Sequence, residues 1–152
     1  MLEAGASAPD FKLKSHDGEE ISLSQYRGKW VVLHTFPFAF TGGGAHQTSS
    51  FNRALTKFEE ANAQVLGLSI DSMFALKTWG MALGGIKHPL LTDFWPHGGV
   101  AKSLGIFNEE TGFANRCLII IDPEGKVAFG ELHQGTLPQV DDTLAKLAEL
   151  QG

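Results

Sequence analysis

The segment from Pro37 to Gly44 has the residue types and spacing best suited to chemistry. Thr41 is followed by three glycines, between an apolar run and a stretch with helical periodicity. Free N–H groups at the start of a helix carry a partial positive charge, which binds anions and lowers the pKa of a thiol. Thr41, Gly43 and Gly44 are therefore candidates for binding a small ligand. The alternative is a glycine-rich strand-to-helix turn that binds nothing.

Cys117 is the only cysteine, which excludes an intramolecular disulfide and CxxC redox chemistry. It follows Arg116 in a predicted strand, where successive side chains point to opposite faces. If Arg116 faces the candidate site, Cys117 faces the core, and its apolar neighbours at 118–120 raise the pKa of a thiol. We expect a buried and unreactive cysteine.

His34 and His46 are candidate metal ligands near Gly44. Two imidazoles with a carboxylate or a water can bind zinc or another divalent metal. Neither HxH nor HxxxH spacing occurs, and the alternative for His34 is a hydrogen-bonded core residue. We therefore predict no metal and no other cofactor. The remaining histidines are expected at the surface or in packing positions: His16, His88, His97 and His133.

Composition and charge argue against several classes of partner. Of the 152 residues, 43% are hydrophobic and 19% are charged, as in ordinary globular proteins. The formal net charge of -5 and the scattered Lys and Arg residues disfavour binding to nucleic acid or to anionic membranes. Neither a signal peptide nor a membrane-spanning stretch is visible, so we expect a cytoplasmic protein.

Three apolar runs predict the buried strands that must position these residues: Trp30 to Phe36, Val65 to Ile70 and Arg116 to Ile121. An apolar stripe with helical spacing lies between the first two runs and comprises Phe51, Ala54, Leu55, Phe58 and Ala61. The two runs and this helix predict a β-α-β unit with parallel strands. An antiparallel return over 126–131 follows the third run. Thr136 and Gln139 then form a capping box that opens a C-terminal helix.

This order of elements is typical of a thioredoxin-like α/β fold. We expect a single domain over residues 1–152, with a central mixed sheet flanked by helices. An N-terminal hairpin is predicted over 10–23. Between the two halves of the fold lies an insertion, which includes a helix capped by Asp71 or Ser72.

The candidate site resembles the motif Pro-x-x-x-Thr-x-x-Cys of the peroxiredoxin family, in which the cysteine is the peroxide-reducing nucleophile. Pro37 and Thr41 match this motif, whereas Gly44 stands at the position of the cysteine. The family often has an acidic residue three positions later, where this chain has Gln47. The segment 114–116, Ala-Asn-Arg, is similar to the one that carries the active-site arginine of the family.

Two further segments, 93–98 and 105–109, resemble the one-cysteine alkyl hydroperoxide reductase E subgroup. The resemblance extends from about Ala8 to the final helix and implies a thioredoxin-like fold with a peroxiredoxin-type insertion. It also implies a homodimer formed by loops on this side of the fold. An exposed patch of Phe94, Trp95 and Pro96 would contribute to that interface.

The resemblance implies that the threonine hydroxyl, the arginine and the helix amides hold the peroxide oxygens while the thiolate attacks, and that the proline shields the thiolate. In this chain, Thr41, Arg116 and the amides near Gly44 would then bind a small anion or a peroxide-like ligand. Glycine offers no attacking atom, so we expect cysteine-dependent peroxidase activity to be lost. Two alternatives stay open: a peroxidase whose natural sequence has cysteine at position 44, and a redox enzyme with a metal bound by His34 and His46.

Overall fold

The computed structural model describes residues 1–152 and is built around a five-stranded mixed sheet. The strands are β1 Lys12–Lys14, β2 Glu20–Ser22, β3 Trp30–Thr35, β4 Ala63–Ser69, β5 Leu90–Thr92, β6 Phe107–Asn108, β7 Phe113–Ala114, β8 Cys117–Ile121 and β9 Val127–Leu132. The helices are α1 Gly42–Arg53, α2 Leu55–Glu60, α3 Met73–Ala82, α4 Gly99–Ser103 and α5 Val140–Gln151, and a 3-10 turn occupies Leu23–Tyr26.

Strand β3 lies at the centre of the sheet, whose order is β5-β4-β3-β8-β9. It pairs in parallel with β4 and antiparallel with β8, as expected where a β-α-β half joins a β-β-α half. Every residue of β3 after Trp30 is buried, because both faces of the sheet are covered. This is the predicted thioredoxin-like α/β fold. The predicted N-terminal hairpin is formed by β1 and β2.

Alternate residues of the central strands pack into two separate cores. Val31 and Leu33 face a core that is shared with the N-terminal hairpin and α4. Val32 faces the opposite core, to which α1, α2 and α5 contribute Phe51, Phe58 and Leu147. Because side chains alternate along a strand, His34 points to the same side as Val32, toward α1.

The helices that cover the sheet are short. The longest, α1 and α5, have 12 residues each. None of the five helices combines the length and the apolar character needed to cross a membrane.

The structure differs from the prediction in three places. The predicted helical stripe is divided at Ala54 (φ −105°, ψ 9°), which ends α1 and precedes α2. Helix α5 begins after Gln139 without a side-chain cap, and the Thr136 hydroxyl instead hydrogen-bonds His133 Nδ1 at 3.0 Å. Strands β6 and β7 pair in a hairpin that the sequence patterns did not predict.

Candidate functional site

The turn between β3 and α1 places Thr41 at the N-cap of the helix. Thr41 has an extended backbone (φ −113°, ψ 152°), and its Oγ1 accepts a hydrogen bond from the Gly44 amide at 3.2 Å. The same hydroxyl donates to the Phe38 carbonyl oxygen at 3.0 Å. Thr41 therefore fixes the first turn of α1, while the amides just before Gly44 have no partner within the helix.

Asp71, which follows β4, holds the other side of this turn. Its Oδ2 accepts hydrogen bonds from the Ala39 amide at 2.9 Å and from Ser69 Oγ at 2.7 Å. Pro37, at the start of the turn, is half-buried. The turn is thus attached to two neighbouring strands, to β3 through the chain and to β4 through a carboxylate.

Gly44 is buried where the turn meets the helix. A Cβ atom placed on Gly44 would lie 2.9 Å from Thr41 Oγ1, 3.0 Å from the Phe38 carbonyl oxygen and 3.6 Å from Trp79. The first two distances are shorter than ordinary van der Waals contact. A side chain at this position therefore requires Thr41 to shift.

Arg116 lies beside the first turn of α1, immediately before β8. A Cβ atom placed on Gly43 would lie 3.1 Å from Arg116 Nη2. Arg116 Nη1 donates to Gln47 Oε1 at 2.7 Å, and no ion pair of the structure includes Arg116. Partial burial lowers the pKa of this guanidinium, which nevertheless stays charged in proteins. The structure thus brings Arg116 to the α1 residues proposed from the sequence, as a positive charge that no carboxylate balances.

Gln47 is fully buried and connects Arg116 to His34. Its Nε2 donates to His34 Nδ1 at 2.9 Å and to the Thr35 carbonyl oxygen at 3.1 Å. Sequence reasoning noted Gln47 only as a departure from an acidic residue. The available signal was its position one helical turn before Phe51, on the inward face of α1.

His34 is a core residue held by Phe51 and Gln47. Its ring stacks on Phe51 with the centroids 4.7 Å apart, and Gln47 bonds Nδ1. Burial, followed by the charge of Arg116, lowers the pKa of His34 to about 3. The ring is therefore neutral at physiological pH.

His88 completes this buried polar group and was missed as a functional candidate. It is buried, and its Nε2 lies 2.9 Å from His34 Nε2. Burial, followed by electrostatic interaction with His34 and His16, lowers the pKa of His88 well below its ordinary value. The two positions are 54 residues apart, and they meet because β3 and β5 lie on either side of β4.

The two histidines considered as metal ligands do not converge. His34 has both ring nitrogens in hydrogen bonds, whereas His46 is exposed on the outer side of α1. No group of three or more His, Cys, Asp or Glu side chains is arranged to hold a metal ion. Of the two interpretations of His34, the structure shows the hydrogen-bonded core residue.

Cys117 lies on the core side of β8, as predicted. The residue is 0% exposed, and burial raises the pKa of its thiol to about 11. Its backbone amide donates to Thr35 Oγ1 at 2.9 Å. The only thiol of the chain is therefore neutral and inaccessible to solvent.

Comparisons with known proteins extend over almost the whole chain. Residues 4–129 match the AhpC/TSA family. Alkyl hydroperoxide reductase E of Mycobacterium tuberculosis is 39% identical over 135 residues, which cover 88% of this chain and 88% of that protein. Peroxiredoxin tpx1 of Schizosaccharomyces pombe is 37% identical over an alignment of 164 positions, which covers 99% of this chain and 82% of that protein.

Solved structures of similar proteins have the same fold. AhpC of Enterococcus faecalis matches with a TM-score of 0.91 at 28% identity, covering 99% of this chain and 93% of that one. AhpC of Mycobacterium tuberculosis matches with a TM-score of 0.89 at 27% identity, covering 100% of this chain and 94% of that one. The likeness therefore includes the turn before α1 and the strand that follows Arg116.

Proposed function

The chain belongs to the AhpC/TSA family of peroxiredoxins, and from this premise we propose that it binds a small anion or peroxide-like ligand without cysteine-dependent peroxidase activity. The observation that carries the proposal is Gly44, at the position where the family motif has its nucleophilic cysteine. The proposed ligand-binding residues are Thr41, Gly43, Gly44 and Arg116. Pro37 belongs to the same turn and has no proposed contact with the ligand.

The charge and the donors at this site favour an anionic ligand. The Arg116 guanidinium donates to the neutral amide oxygen of Gln47 and has no carboxylate partner. The first amides of α1 add hydrogen-bond donors and the positive end of the helix dipole. A carboxylate, a phosphate or a hydroperoxide anion can accept hydrogen bonds from both groups.

No other group of the chain replaces the missing nucleophile in this proposal. Reduction of a peroxide by a thiol requires a thiolate to attack a peroxide oxygen. Gly44 has no electron-rich side-chain atom, and the Cys117 thiol is buried and neutral. A buried, unpaired thiol also suits a reducing compartment, and we propose the cytoplasm.

The first part of the test measures peroxide turnover. The full chain and Cys117→Ser are assayed for thiol-dependent consumption of hydrogen peroxide and of an alkyl hydroperoxide. We expect background rates from both proteins, because neither has an accessible thiolate. Robust turnover by Cys117→Ser after treatment with a chelator would contradict the proposal.

The second part measures anion binding by calorimetric titration with phosphate. We expect Arg116→Gln to weaken binding about tenfold or more, because one charge-assisted hydrogen bond contributes about 1.5–3 kcal/mol. The matched control is Arg53→Gln, which removes an exposed arginine at the other end of α1 and should leave the affinity unchanged. Equal affinities for the wild type and Arg116→Gln would count against the site.

We further propose that the chain forms a homodimer through an exposed apolar surface. Phe74 is 73% exposed, Phe94 55% and Trp95 80%, and all three line one cleft of about 510 Å³. Exposed apolar patches of this kind often mark interfaces between proteins. Because Trp95 and Phe74 supply much of the patch, their double replacement by alanine should weaken self-association.

Sedimentation velocity over a range of concentrations tests this interface. We expect a dimer from the wild type and a monomer from the Phe74→Ala/Trp95→Ala double variant. Met81→Ala is the control, because Met81 is 70% exposed but lies outside the cleft. A wild-type chain that stays monomeric at every concentration would refute the homodimer.

A further inference from the structure

The hydrogen bonds from Arg116 through Gln47 to His34 run in one direction. A guanidinium only donates, so Gln47 Oε1 is the acceptor and Gln47 Nε2 supplies the N–H groups. Nε2 donates to the Thr35 carbonyl oxygen, which only accepts, and to His34 Nδ1, which must therefore be unprotonated. A neutral His34 then carries its proton on Nε2.

His88 continues this chain of hydrogen bonds and ends it with a donor. Its Nε2 accepts the His34 proton across 2.9 Å. Because burial lowers the pKa of both rings, both are neutral, and His88 carries its own proton on Nδ1. No protein group accepts a hydrogen bond from His88 Nδ1, although the residue is only 1% exposed. A buried donor of this kind favours an acceptor from outside the chain.

His88 lines a cleft of about 350 Å³ between α2, the start of β4 and the residues before β5. In the His88 ring, one carbon separates Nδ1 from the Nε2 that faces His34. The other polar residues of the cleft are Thr56, Glu59, Gln64 and Lys87, and part of its lining is apolar. The cleft therefore combines the buried His88 donor, one cationic side chain (Lys87), one acidic side chain (Glu59) and an apolar surface.

We propose that this cleft is a second binding site, distinct from the turn at Gly44, for a small monocarboxylate whose oxygen accepts the hydrogen bond of His88 Nδ1. In this proposal the Lys87 ammonium pairs with the ligand carboxylate, Glu59 of the same lining excludes a second negative charge, and the apolar lining contacts the carbon atoms of the ligand. The proposal does not depend on ligand binding at the turn.

The same chain of hydrogen bonds excludes a metal ion at His88. A cation would need the lone pair of Nδ1, which would move the proton of His88 to Nε2. His34 Nε2 would then have to accept the hydrogen bond from His88 Nε2, and His34 Nδ1 would have to donate to the side-chain oxygen of Gln47. That reversal would present a donor to Arg116, which has no acceptor atom.

Long-range ¹H–¹⁵N correlation spectra of the full chain with ¹⁵N-labelled histidine test the proposal. We expect the proton of His34 on Nε2 and the proton of His88 on Nδ1. Sodium acetate is the probe, and it should shift the His88 Nδ1–H signal saturably, whereas sodium chloride at the same ionic strength should not. A His88 ring protonated on Nε2, or a signal that acetate leaves unchanged, would overturn the proposal.

Two amide substitutions test whether binding needs a hydrogen-bond donor at the position of His88 Nδ1 rather than the imidazole ring itself. His88→Asn places its amide near the position of Nδ1, whereas His88→Gln places it near the position of Nε2. We expect acetate affinity, followed through the backbone amides of Thr56 and Lys87, to fall about tenfold or more in His88→Gln and less in His88→Asn. Unchanged affinity in His88→Gln would overturn the site. The measurement of the wild-type proton position needs no substitution and decides the outcome if either variant is unstable.

Discussion

The turn at Gly44 and the strand at Cys117 each have part of what a reactive thiol needs. The turn has an N-cap hydroxyl, helix amides and the Arg116 guanidinium, but no sulfur. The strand has the sulfur, but the residue is 0% exposed and the pKa of its thiol is raised to about 11. The presence of a cysteine therefore says little about reactivity, which depends on accessible donors and positive charge around the sulfur.

Placing a sulfur in the turn should remove the difference between the two regions. We expect Gly44→Cys to consume hydroperoxide at least about 10³-fold faster than the wild type, because the helix N-terminus and Arg116 stabilise a thiolate. The measurement is a coupled assay with added thiol.

Gly44→Ala is the matched control, because it adds the same Cβ beside Thr41 without the sulfur. It should be as inactive as the wild type. A folded but inactive Gly44→Cys would show that the ligand-binding geometry of the turn has been lost along with the nucleophile.

The two sulfurs of Gly44→Cys also allow a comparison within one molecule. At neutral pH we expect iodoacetamide to modify the introduced thiol at least roughly 100-fold faster than Cys117, because a pKa of about 11 leaves almost no thiolate. Peptide mass spectrometry at successive times measures both rates. Comparable rates in the folded protein would contradict the burial of Cys117, and equal rates are expected only after unfolding.

Acid should destabilise the buried polar group formed by His34 and His88. The folded state holds His34 at a pKa of about 3 and also lowers that of His88, whereas unfolded histidines titrate at about 6.5. Between these values the unfolded state binds more protons, so stability falls as the pH drops below about 6.5. Each histidine contributes a slope of about 1.4 kcal/mol per pH unit within its window.

Urea unfolding at a series of pH values measures this slope. The double variant His34→Phe/His88→Phe should flatten the curve, and His46→Asn, at an exposed position, should leave it unchanged. A wild-type free energy of unfolding that stays constant from pH 6.5 to 4 would show that the two rings are not held neutral in the folded state.

The sequence predicted the strands whose side chains are buried on both faces of the sheet. The runs at β3, β4 and β8 are apolar because both faces of the sheet are covered, and this pattern is visible without the structure. The turn and Arg116 were found because their residues match a motif. The core position of Cys117 followed from the alternation of side chains along a strand.

What the sequence did not predict depends on contacts between distant residues. The division of the helical stripe at Ala54 changes the backbone without interrupting the apolar pattern. Thr136 had the spacing of a capping residue, but its hydroxyl bonds His133. The pairing of His34 with His88 required the order of the strands, which leaves no periodic signal in the sequence.

The carboxylate of Asp71 has a consequence for the energetics of the turn. Because it holds the Ala39 amide from the neighbouring strand, the loop keeps its shape whether or not a ligand is present. Association then loses little backbone entropy, and a main cost that remains is the removal of water from Arg116. The Ala39 amide proton should accordingly exchange with deuterium as slowly as those of the sheet, and Asp71→Ala should accelerate that exchange.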